Sequence, residues 1–118
     1  MWKVFVESGG APTFLFHGVG GTKNVPLDRW MQAEVKWAKE GSNPYYWTAF
    51  HCYPSLDVIS RWCRSVRRFD RRYVVEIEVR KTRKKPTNGH AILADGMLLP
   101  SESWANRIPL RYFCKAPA

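Results

Sequence analysis

The chain predicts an α+β fold, a single domain over residues 1–118 with a mixed, mostly antiparallel sheet and two principal helices. Three observations predict it. Short apolar runs that alternate with period two outnumber the stretches with helical spacing. Several of these runs are separated by only a few turn-forming residues, which suits antiparallel neighbours. At 118 residues with 45% hydrophobic and 14% aromatic content, there is room for one core and ample material to fill it.

From the N-terminus, Trp2 to Glu7 sets Trp2, Val4 and Val6 against Lys3, Phe5 and Glu7. The turn Ser8-Gly9-Gly10-Ala11-Pro12 then leads into a second strand from Thr13 to Val19, completing a hairpin. Pro26 suits a first helical turn, and Leu27, Trp30, Met31, Glu34, Trp37 and Ala38 recur at helical spacing. With Gly41 suited to the end, a helix is predicted whose tryptophans pack on the sheet. After the loop Gly41-Ser42-Asn43-Pro44 comes a β-rich run from Tyr45 to Tyr53, with Trp47, Ala49, His51 and Tyr53 on one face.

Ser55 is the expected N-cap of a second helix, whose buried stripe is Leu56, Ile59, Trp62 or Cys63, and Val66. Tyr73, Val75, Ile77 and Val79 alternate with Val74, Glu76, Glu78 and Arg80 in a half-exposed strand. Pro86-Thr87-Asn88-Gly89 reads as a turn, and strands from His90 to Ala94 and Met97 to Leu99 flank Asp95-Gly96 as a tight hairpin. A last strand is expected from Leu110 to Cys114. Trp30, Trp37, Ile59 and Trp62 are the expected contacts between the helices and the sheet.

No apolar run approaches the length that spans a bilayer, and Met1-Trp2-Lys3-Val4-Phe5-Val6 lacks the h-region and cleavage site of a signal peptide. Cys52, Cys63 and Cys114 are odd in number and widely spaced, with no Cys-x-x-Cys pair. Buried apolar thiols are expected, rather than a disulfide framework or a zinc site. Together these features predict a cytoplasmic protein without a membrane contact or a metal.

The charge is concentrated. Eleven basic residues lie between Arg61 and Lys85 against Asp70, Glu76 and Glu78, a local charge of +8 within a chain total of +9. Arg61, Arg64, Arg67, Arg68, Arg71, Arg72, Arg80, Lys81, Arg83, Lys84 and Lys85 are thus the candidate contacts for nucleic acid, an acidic protein or a nucleoprotein. Trp47, Tyr45 or Tyr46 would supply stacking. A solvated basic face that keeps a small protein in solution is the plainer reading of the same residues.

Motifs for chemistry are sparse. Gly18, Gly20 and Gly21 match neither phosphate-loop pattern and read as a βα connection. There is no G-x-S-x-G elbow and no suggestion of paired carboxylates. His17 and His51 do sit near the ends of apolar runs, where a strand delivers a polar side chain to a sheet edge.

His17-Gly18 after a strand, then Phe50-His51-Cys52-Tyr53 turning through Pro54-Ser55 into a helix, then Val74-Val75-Glu76-Ile77-Glu78-Val79 resembles the layout of ADP-ribosyltransferase-like proteins. Those carry His, then Tyr or His, then Glu on successive strands. The resemblance implies NAD as cofactor, His17 anchoring the nicotinamide-side ribose, and His51 or Tyr53 stacking on nicotinamide. At the acidic position the sequence departs from the pattern, because Glu102 follows Pro100 in an expected loop. In size and pattern the chain also resembles small bacteriophage and prophage proteins, a compact type that binds host factors. The two functions expected are a binding module without a cofactor, inhibitory where its target is a host protein, and an NAD-dependent transferase using His17, His51, Tyr53 and Glu102.

Overall fold

Two segments of this chain carry apolar side chains on both parities, Val4 beside Phe5 and Val74 beside Val75, and such strands must be covered on both faces. The computed structural model describes residues 1–14, 24–35, 37–38, 45–63, 69–86 and 91–114. Its strands are β1 (Trp2–Ser8), β2 (Ala11–Phe14), β3 (Trp30–Gln32), β4 (Trp37–Ala38), β5 (Tyr46–Trp47), β6 (Phe50–Cys52), β7 (Arg72–Glu76), β8 (Glu78–Lys84), β9 (Ile92–Leu98) and β10 (Ile108–Pro109). The helices are α1 (Leu56–Trp62) and α2 (Ser101–Ala105), followed by a 3-10 turn over Leu110–Tyr112. The fold is α+β, with antiparallel pairing between every pair of named strands.

The first sheet runs β10-β7-β1-β2. Phe5, Phe14 and Val75 face the second sheet, where they meet Phe50, Cys52, Ala94 and Met97 in the main core. Val4 and Val74 point the other way, into a second core closed by Tyr53, Ile59, Cys63 and Leu110. Alpha-helix α1 thus caps the far face of the first sheet, started by Ser55, whose hydroxyl accepts from the Val58 N–H at 3.3 Å. Between β7 and β8 the chain passes from one sheet to the other at Ile77, which is buried and whose N–H donates to the Met1 carbonyl at 2.8 Å.

The β1–β2 hairpin, the cap at Ser55 and burial of Ile59 agree with the sequence reading. The helix predicted from Pro26 to Gly41 does not form. Its described part holds β3 and β4, with Met31 packed on the main core while Trp30 and Trp37 are 38% and 55% exposed rather than buried. Spacing that matches a helix face also matches two short strands joined by a bend, and here tertiary contacts select the strands. Asp28, at φ 59°, turns the chain just before β3: its N–H donates to the Leu99 carbonyl, and its carboxylate accepts from the Ser101 N–H at the start of α2.

The predicted Asp95-Gly96 hairpin is instead the middle of β9, an unbroken strand because partners occupy both of its edges. Glu102 lies on α2 rather than in a loop. The strand expected from Leu110 to Cys114 does not form; its start is a 3-10 turn over Leu110–Tyr112, since Leu110 has to turn into the second core. Cys63 and Cys114, 51 residues apart in sequence, are neighbours with Cα atoms 5.2 Å apart, a separation that a disulfide spans and the sequence reading did not expect, while Cys52 is free and buried. No helix among the described residues is long and apolar enough to cross a membrane.

One cation lies inside the main core. Lys3 shares the inward parity of Phe5, and its ammonium donates to the His51 carbonyl at 2.6 Å and lies 5.8 Å from the Phe14 ring centroid. It ties β1 to β6, and so one sheet to the other. Burial lowers its pKa to about 8, with the neighbouring Cys52 opposing that shift.

Replacing Phe5, which is fully buried, by Ala should cost about 3–5 kcal/mol in urea denaturation, whereas Trp37→Ala should cost under about 1 kcal/mol. The buried lysine predicts a pH signature. Between about pH 8 and 10.5 the unfolded chain holds the Lys3 proton that the folded chain has lost, so the contribution of Lys3 to stability rises with pH in that window. The stability of the wild type relative to Lys3→Met should therefore climb across it; a flat difference would show a solvated ammonium. Cys52, whose thiol burial pushes up against the opposing pull of Lys3, acts in the opposite direction, so the comparison is made in a Cys52→Ala background.

Candidate nucleic-acid interface

The second sheet is organised on β9. Strand β8 pairs with its whole length on one edge, while β3 takes Gly96 to Leu98 and β6 takes Ile92 to Ala94 on the other. The inner face of this sheet is spent on the main core, and its outer face carries the candidate site. Facing changes part-way along: Met97 and Val79 point inward at one end, Ala94 at the other, and Leu93 belongs to a small outer cluster with Ala49 and Ala33. The change occurs between the Arg80–Gly96 and Thr82–Ala94 pairs, where Lys81 takes the left-handed conformation at φ 51°. Strict alternation would put Arg80 and Arg83 on opposite faces. The break places both on the outer one.

At one end of that face, the Arg80 guanidinium lies 3.6 Å from the centroid of the exposed Trp30 ring, a cation–π contact. Gly96, paired with Arg80, lies beside this contact; a Cβ there would meet Arg80 Cβ at 3.4 Å and Trp30 Cε3 at 3.9 Å, ordinary van der Waals distances. At the other end the β4–β5 ladder sets Trp37 opposite Trp47, ring centroids 5.2 Å apart, and Tyr45 stacks on Trp37 at 5.9 Å and 13°. These aromatics, with Arg83, Lys84, Pro86 and Leu93, line an open recess of about 260 Å³.

Arg83 holds the recess together. It is ion-paired with Asp95, and it donates to the Trp47 and Thr48 carbonyls at 3.0 and 3.1 Å. The hairpin is thereby fastened to β8 by a side chain whose donors a carbonyl pair and a carboxylate occupy. Lys84 is the exposed cation at the rim.

The eleven basic candidates therefore have different fates. Arg80, Lys81 and Lys84 are exposed on β8; Arg83 is an anchor; Lys85 is buried. Arg61 is exposed on α1, which packs on the first sheet, while Arg71 and the half-buried Arg72 stand at the start of β7. The strand order puts α1 and β8 on different sheets, so Arg61 does not extend the β8 row as the sequence suggests. Arg64, Arg67 and Arg68 lie outside the described residues.

Of the catalytic candidates, His17 also lies outside the described residues. His51 pairs with Leu93 on the second sheet, and Tyr53 is buried with its ring 5.5 Å from Trp62. Glu102 is exposed in the first turn of α2. None of the three lines the recess. Among the described residues no group of His, Cys, Asp or Glu is placed to hold a metal ion.

Sequence reasoning found Tyr45 and Trp47 but gave Trp30 and Trp37 to a helix. The missed signal is a pair of aromatic segments, Trp37-Ala38 and Tyr46-Trp47, flanking the turn-forming Gly41-Ser42-Asn43-Pro44. Comparison with protein-family models, curated proteins and solved structures finds no match for this chain.

If Arg83 fastens the hairpin, Arg83→Gln should destabilise it by about 1–3 kcal/mol and accelerate amide exchange across β4 and β5. Lys84→Gln should leave that exchange unchanged. Equal protection in both variants would assign the hairpin's order to ring packing alone.

Proposed function

We propose that this protein is a nucleic-acid-binding module whose contact surface is the outer face of the second sheet. The observation that carries the reading is the juxtaposition of exposed tryptophans with the cations of one edge strand: Trp30 with Arg80, and Trp37, Tyr45 and Trp47 with Lys84. A charged edge strand alone has a plainer use, because lysines and arginines there discourage pairing with other sheets. Exposed aromatics do not serve that end. They add apolar surface that a soluble domain otherwise avoids, and such patches rimmed by polar groups mark interaction sites.

The combination suits a ligand that is anionic along its backbone and aromatic in its side groups, which describes nucleic acid better than an acidic protein surface. Phosphates meet Arg80, Lys81 and Lys84 along β8, and the rings meet bases. The function so described is binding, and needs no cofactor.

With about three phosphates contacted, the plot of log affinity against log salt should have a slope of about −2 to −3. Arg80→Glu with Lys84→Glu should weaken binding by an order of magnitude or more at low salt and flatten that slope. Undetectable binding of both single-stranded and duplex DNA and RNA by the wild type at low salt would refute the reading. Tight binding to an acidic protein with a shallower slope would redirect it to that partner class.

A further inference from the structure

We propose that the recess between β5 and β8 receives one unpaired nucleobase, so that the ligand is single-stranded where it crosses the hairpin. This rests on the nucleic-acid reading above and adds which form of nucleic acid is bound and what fills the recess. Trp37, Tyr45 and Trp47 are each more than half exposed, at 55%, 54% and 56%, yet their rings hold one another in fixed relation. They form an angled wall, with the buried Leu93 contributing an apolar contact and Pro86 and Lys84 completing the lining. At about 260 Å³ the recess falls just below the roughly 300 Å³ at which pockets for drug-sized ligands begin, a scale that suits one ring system.

The chemistry of the lining selects among the ligands such a recess could take. A cage of three aromatic rings suits a quaternary ammonium group, but the Lys84 ammonium stands in the same lining and repels a cation. A purely apolar ligand would leave Lys84 without a role. A nucleotide satisfies both features, its planar base against the rings and its phosphate at the ammonium.

Duplex nucleic acid does not satisfy them, because its bases are already stacked on one another and offer the protein only edges and backbone. The strand must therefore present an unpaired base. Arg80 on Trp30 lies three residues from Arg83 along β8, roughly 10 Å at the usual strand rise, and offers a second cation to the same strand.

The test compares three ligands of equal length by fluorescence anisotropy and tryptophan quenching: an oligothymidylate, the same sugar–phosphate chain with abasic sites throughout, and a duplex. The oligothymidylate should bind more tightly than the abasic chain by about 5- to 150-fold, the range expected for one stacked base, and should quench tryptophan emission. Trp47→Ala and Trp37→Ala should erase that difference while leaving abasic-chain affinity intact, and Trp47→Phe should restore part of it. Retained affinity for the abasic chain shows that each variant is folded. Equal affinity for base-bearing and abasic chains, or preference for the duplex, overturns the base recess and leaves the phosphate contacts standing. Failure of all three ligands to bind at low salt overturns both proposals.

Discussion

The double burial of β1 and β7 is the constraint from which the architecture follows. Val4 and Phe5, like Val74 and Val75, point to opposite faces of the first sheet, so that sheet needs two covers. On one side the cover is α1, Tyr53 and the turn at Leu110. On the other it is the inner face of the second sheet, cross-tied by Lys3 to the His51 carbonyl. A sheet used as a lid has one face left over, and in this chain that leftover face carries the exposed tryptophans and the β8 cations.

What the outer face displays depends on a local break in the pleat. With Lys81 in the left-handed region, Arg80 and Arg83 share a face although they are three residues apart. The two arginines then diverge in role. Arg80 lies over the Trp30 ring, whereas Arg83 is consumed by Asp95 and by two carbonyls of the β5 segment. An arginine whose donors are satisfied within the protein organises a surface rather than binding at it. Ring-to-ring contacts among Trp37, Tyr45 and Trp47, each worth about 0.5–1.5 kcal/mol, offset some of the cost of leaving them in water.

The cluster of charge between Arg61 and Lys85 illustrates how a linear density is divided by topology. Arg61 follows α1 to the first sheet, Lys85 is buried, and β8 keeps Arg80, Lys81 and Lys84 at the surface of the second sheet. The exposed basic row on β8 is shorter than the sequence count suggests, and the aromatic rings beside it are distant in sequence.

Where local chemistry decides, the chain declares its structure openly: the Gly9-Gly10 turn between β1 and β2 and the hydroxyl cap of Ser55 on α1. The α+β class and the concentration of basic charge between Arg61 and Lys85 were likewise determined by composition and periodicity. Three segments were ambiguous because their local signals fit two structures. Leu27 to Ala38 has helix-compatible spacing but forms short strands once β9 and β5 offer partners; Asp95-Gly96 is turn-like but sits mid-strand between occupied edges; Leu110 follows the demand of the second core. Only the tertiary structure decided that Trp30 and Trp37 face solvent beside Arg80 and Lys84, because exposure and cross-strand neighbours depend on which sheet edge a strand joins, and no residue carries that information alone.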